Sequence, residues 1–164
     1  MLNFVAFNFV WLGLVYWGNT FIPFATLFFC GHIVYIYNKQ KNEILLIIIV
    51  ALLGILVDTI LQGQDVFLFA EKHHLPFWLI TLWFCFATTL SHSLNFLSHS
   101  VVMQALVGAL IAPLSYIAGN QCKVVVFGYS TLSTFFILSV IWCQLMVVFY
   151  FIKSYLIKEE NAHV

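Results

Sequence analysis

Arginine is absent from the sequence, and Lys, Asp and Glu leave only 7% of its 164 residues charged, against about 25% in ordinary soluble domains. Six lysines balance six acids. There is accordingly no basic face for nucleic acid, which is excluded as a partner, and no polybasic lipid-binding tail. The four cysteines, Cys30, Cys85, Cys122 and Cys143, form no CxxC pair, which argues against a reactive dithiol. Those at 30, 85 and 143 fall in apolar runs and read as small buried hydrophobes. No Lys precedes the first apolar run, MLNFVAFNFVWLG, and no small-residue cleavage site follows it, so it reads as a retained helix. Histidine boxes of membrane di-iron enzymes, a serine-nucleophile elbow, a phosphate-cradling loop and a zincin motif are all missing. No motif names a reaction.

What is present is apolar: 63% of residues are hydrophobic and mean hydropathy is +1.05. No soluble fold hides that much apolar surface, so the expectation is one integral membrane domain, an all-α bundle of six transmembrane helices. The spans are placed at about 2–17, 21–37, 44–62, 76–98, 101–118 and 128–152 from their apolar runs. Gly18, Asn19 and Pro23 favour a hairpin between the first two. Glu43 falls in the first turn of the third span, where a negative charge suits the helix dipole. The polar connection 63–75 holds Asp65, Glu71, Lys72, His73 and His74, and VFLFA within it reads as a short interfacial helix. In the fifth span Ala105, Gly108, Ala109 and Ala112 present a small-residue face to a neighbouring helix, and Pro113 is expected to kink it. From Lys153 onward the Lys-Glu-Glu tail reads as solvated.

Six spans put both termini on one side. With that side cytoplasmic, Lys39, Lys41, Lys153 and Lys158 lie inside and Lys72 and Lys123 outside, in line with the positive-inside rule.

Span four, PFWLITLWFCFATTLSHSLNFLS, is the best site candidate, because Thr88, Thr89, Ser91, His92, Ser93 and Asn95 crowd its second half. Hydrocarbon does not tolerate so many polar groups, so they should face other helices or water. At about 1.5 Å per residue, His32, His92, Asn8, Asn95 and Gln104 fall in one layer about 5–9 Å from the cytoplasmic end. Asp58 falls about 22 Å from it, near the outer interface. Asp58 reads either as a helix-end acid bonded to Gln62, Thr or Trp neighbours or as an intramembrane acid that binds a cation or proton. His32 and His92 read as core histidines bridging helices, or as functional groups; a haem held between them is a redox alternative. His73 and His74 are loop side chains. His92 and His99 fall seven apart and could share a helix face, but without an adjacent carboxylate or cysteine they make a weak metal signal, and neither metal nor cofactor is expected.

The runs LLGILVDTIL, LWFCFATTLSHSLNFL and ALVGALIAPLSYIAGN resemble those of a bacterial inner-membrane family catalogued as domain of unknown function 2878. The likeness covers nearly the full length. Its motifs map onto Asp58-Thr59, onto Phe86 to Leu94 with His92 at the histidine, and onto Gly108 to Tyr116 with Pro113 at the proline. Ser91 stands where that family usually has Asn, and Ala112 where it usually has Gly. The family carries no assigned activity, so the resemblance implies architecture, a multi-pass place in the bacterial inner membrane, and site residues. The function expected is the handling of a lipid or small amphipathic molecule in a partly polar pocket. His92, Thr88, Thr89 and Asn95 would hold its head group, His32 would lie nearby and Asp58 would mark the outer end. A proton-coupled or facilitative transporter, a haem-binding redox protein and an assembly factor are the other classes.

Overall fold

Uncharged runs rich in Leu, Ile, Val and Phe must satisfy their own backbone groups when water is scarce, and a helix does this within one segment. The computed structural model describes residues 2–37, 41–70 and 74–162, the side chains at 2, 41 and 158–162 excepted. Its helices are α1 (Leu2–Trp17), α2 (Ile22–Ile36), α3 (Lys41–Gly63), α4 (Phe77–Ala87), α5 (Val101–Gln121) and α6 (Thr131–Ala162). Lys39, Glu71, Lys72 and His73, and the side chains of Lys41 and Lys158, lie outside the described residues.

Six separate spans are not what forms. Among the described residues four helical stretches are long and apolar enough to cross a membrane: Asn3–Ile36, Asn42–Gly63, Val101–Gln121 and Thr131–Ile157. The expected first and second spans belong to one continuous helical stretch, joined by a 3-10 turn at Gly18–Phe21 with Gly18 at φ 57°. Each arm is only about 22–24 Å long at 1.5 Å per residue, short of the roughly 30 Å hydrocarbon core. The stretch nonetheless folds back on itself. A straight helix would hold Asn3 and His32 about 43 Å apart, yet Asn3 bonds Thr88 and Ser93 while the His32 ring touches that of His92. Pro23 sits at the start of α2, where its missing N–H costs nothing.

The expected fourth span, 76–98, is also corrected. Helix α4 has 11 residues and stops at Ala87, about 16 Å of helix. Thr88 and Thr89 donate their hydroxyls to the carbonyls of Cys85 and Phe86, a local bond that competes with helix continuation in β-branched residues. The chain then runs through turns to a 3-10 helix, Asn95–His99, before Ser100 caps α5 by accepting the Met103 N–H.

VFLFA is likewise not a helix: Phe67–Leu68 is a strand, β1, paired antiparallel with β2 (Val126–Phe127). Phe67 is fully buried and stacks on Tyr116 with ring centroids 4.9 Å apart. Gly128 permits this clasp, since a Cβ there would overlap the Asp65 carbonyl oxygen.

Helices α5 and α6 pack against each other most extensively, with Gly108 facing the backbone of Trp142. Gly108 of the small-residue face thus meets α6, Ala112 lines the cleft described below, and α5 continues as helix through Pro113. The core centres on Trp83 and Trp142, stacked at 5.3 Å. Outward faces carry exposed Phe, Leu, Val and Tyr on α1, α2, α5 and α6, the surface that acyl chains solvate in a membrane-associated protein. Of the cysteines expected to be buried, Cys85 is and Cys143 is half-buried, whereas Cys30 faces outward.

Candidate functional site

Residues 88–99 leave the α-helical register, so their carbonyls need partners from elsewhere. Three long side chains supply them. Lys153 on α6 donates to Leu90 O, Asn95 Oδ1 and Ser98 Oγ at 2.7, 2.6 and 2.9 Å. Tyr150 donates its hydroxyl to Leu94 O at 2.6 Å, and Gln104 its amide to Leu97 O at 2.9 Å. Lys153, expected in a solvated tail, is instead buried with all three ammonium hydrogens used. Backbone that leaves a regular helix persists where its polar groups find other partners, and these bonds supply them.

Held this way, the turn carries polar groups to two sides. On one, His92 Nε2 lies 2.8 Å from Glu43 Oε1, and His32 Nε2 lies 3.4 Å from the same oxygen. The two imidazoles meet edge to face with centroids 4.8 Å apart. Glu43 is not a solvated helix-end charge; it is buried, and its Oε2 has no hydrogen-bond partner among the described residues. On the other side, Thr89 and Ser93 face a cleft of about 460 Å³ that runs beside α1, α4 and α5. Phe7, Trp11, Trp78, Phe86 and Trp142 line it, and Asn8 is a third polar residue in its wall.

The sequence candidates are therefore divided. His32 and His92 come together through Glu43, as their shared depth implied. Thr89 lines the cleft. Thr88 is buried, bonding Cys85 and Asn3, and Asn95 serves Lys153. Asp58 stands apart, 15 residues beyond Glu43 on α3 and so about 22 Å along the helix axis. It is fully buried, accepting Trp83 Nε1–H at 2.7 Å and the Tyr116 hydroxyl at 2.9 Å. Trp83 and Tyr116 face the cleft and Asp58 sits behind them.

Glu43, Lys153, Trp83 and Tyr116 were missed as site groups. The available signal was a single charge set within or against an apolar run: Glu43 ahead of ILLIIIVALL, Lys153 within FYFIKSYLI.

The Asp58 triad yields a graded prediction. Asp58→Ala leaves a buried indole N–H and a phenol without acceptors, an expected loss of about 2–3 kcal/mol, while Asp58→Asn keeps one acceptor oxygen and loses about 1 kcal/mol. Melting curves in detergent check it; equal losses for the two variants would mean the bonds contribute little.

A family model described as protein of unknown function (DUF2878) matches residues 1–148. Neither a curated protein nor a solved structure matches the chain.

Proposed function

The chain belongs to that family of unknown function, and from this premise we propose that it holds a lipid or small amphipathic molecule in the aromatic cleft. The observation that carries the reading is the cleft itself: about 460 Å³, walled by aromatic and aliphatic side chains, with a few polar groups, Asn8, Thr89, Ser93 and Ser115, among them. That volume and that mix of apolar wall and few polar groups are those of small-molecule sites.

The polar groups in the wall narrow the ligand. Thr89 already donates its hydrogen to Phe86 O, and Ser93 donates to Asn3 Oδ1. Their oxygens therefore present acceptor lone pairs to the cleft. No charged residue lines it. Acceptors without a cation favour a neutral head group that donates, such as a hydroxyl, over a phosphate, which would call for Lys or Arg. The ligand is an apolar chain or ring system ending in a hydroxyl. Its home is the bacterial inner membrane, with both termini in the cytoplasm by the lysine bias.

Ala112 lines the cleft, so Ala112→Phe fills part of it. Overfilling costs the ligand about 1–3 kcal/mol, a drop in affinity of about five- to 150-fold. Mass spectrometry of organic extracts from purified protein reads this directly. A hydroxyl-bearing neutral lipid retained by the parent chain and lost from Ala112→Phe is the expected result. Bulk phospholipid in membrane proportions in both samples would refute it. A transporter reading would rest on Asp58, and uptake abolished by Asp58→Asn in a variant that stays folded would favour it.

A further inference from the structure

Outside the cleft, three elements bring nitrogen and oxygen donors to one point. His32 comes from the last turns of α2, Glu43 from the first turn of α3, and His92 from the turn after α4. We infer that His32, Glu43 and His92 form a binding site for a divalent transition-metal ion of the zinc or ferrous class. One ligand atom from each lies within 4.8 Å of the others. None of the three lines the aromatic cleft, so this site stands independently of the lipid reading.

The geometry fits a small ion. A metal about 2.0–2.2 Å from each donor needs those donors about 3.0–3.6 Å apart, and the nitrogen-to-oxygen separations are 2.8 and 3.4 Å. The two imidazole nitrogens lie within 4.8 Å of each other, so closing that third edge takes a movement of up to about an ångström, available to the His92 ring, the more exposed of the two. Two imidazoles with one carboxylate suit zinc or ferrous iron, whereas calcium and magnesium prefer shells made of oxygen.

A second observation points the same way. Glu43 is 1% exposed and its Oε2 is unbonded among the described residues. A buried carboxylate oxygen without a partner is costly, and a bound cation removes that cost. Access is available from one side, since the His92 side chain is 29% exposed while that of His32 is 9% exposed. Lys153 directs its three hydrogens to Leu90, Asn95 and Ser98 and none to Glu43. It therefore leaves the carboxylate to the metal. With three protein donors, at least one coordination position stays open to water or an anion.

The test uses the full chain in detergent, equilibrated with zinc chloride, freed of unbound ion and analysed for metal. One zinc per chain is expected for the parent protein and for His74→Ala, which alters a loop histidine, and well below half for Glu43→Gln and His92→Ala. Cobalt chloride should give visible ligand-field absorption in the parent that Glu43→Gln abolishes. Independently of any variant, zinc should raise the melting temperature of the parent protein and a chelator should reverse the rise. Full zinc occupancy in Glu43→Gln overturns the assignment, as does a parent chain that binds no zinc and does not shift. Ala112→Phe should leave zinc unchanged, so the failure of either site is read without the other.

Discussion

Lys153→Met is expected to cost about 3–5 kcal/mol, the largest effect of any single substitution considered for this chain. Methionine keeps most of the apolar stem and removes the ammonium. Leu90 O, Asn95 Oδ1 and Ser98 Oγ then lose a donor at once. Leu90 O is orphaned in the core at about 1–3 kcal/mol, while the exposed Asn95 and Ser98 give up charge-assisted bonds of about 1.5–3 kcal/mol each, less what water and the remaining Ser98-to-Asn95 bond restore; the losses do not add fully because the turn relaxes as a unit. Cys85 is a buried thiol in the last turn of α4, just ahead of the turn that Lys153 holds, so its reaction with a thiol-specific dye, in a background lacking the other three cysteines, follows any opening that spreads to α4. A melting temperature within a degree of the parent protein would show that the turn is held by something other than Lys153. Because His92 lies between Leu90 and Leu94, which Lys153 and Tyr150 anchor, weaker zinc binding is expected to accompany the loss.

Gly108→Ala should cost about 3 kcal/mol, for a steric reason. A Cβ at that position would overlap the carbonyl oxygen of Trp142, and it would lie 2.8 Å from Met146 Cγ. A flexible side chain can move aside, but a helix backbone cannot do so without carrying its helix with it. Separating α5 from α6 disturbs Trp142, which stacks on Trp83, which in turn donates to Asp58. The matched control is Gly31→Ala: nothing lies within 4 Å of the added atom, and Ala is the better helix former, so α2 should gain about 0.5–1 kcal/mol. Thermal unfolding of the pair in one detergent separates helix propensity from packing. If both variants move the same way, close approach of α5 and α6 is not what Gly108 provides.

Much of the helix layout was legible because hydropathy is a property of consecutive residues. The ends of α1 and α2 agree with the sequence reading to within a residue, and Gly18 and Pro23 marked the fold between them. The small-residue spacing around Gly108 marked a close helix contact, and counting depth along each span put His32 and His92 in one layer. The count failed where local chemistry interrupts a helix. Thr88 and Thr89 turned hydroxyls onto the preceding carbonyls and ended α4, so a 23-residue reading became 11 residues of helix followed by turns. The strand Phe67–Leu68 was hidden because its partner, Val126–Phe127, lies some 60 residues away.

By itself the sequence determined that this is a helical, membrane-associated chain without a basic face, since those conclusions need only composition and apolar run length. Tertiary structure alone decided that Glu43 and Lys153 are buried rather than solvated, and that His32, Glu43 and His92 converge. Burial of a charge is compensated by partners on other helices, at positions 32 and 92 for Glu43 and at 90, 95 and 98 for Lys153. No local pattern encodes which distant residues those partners are.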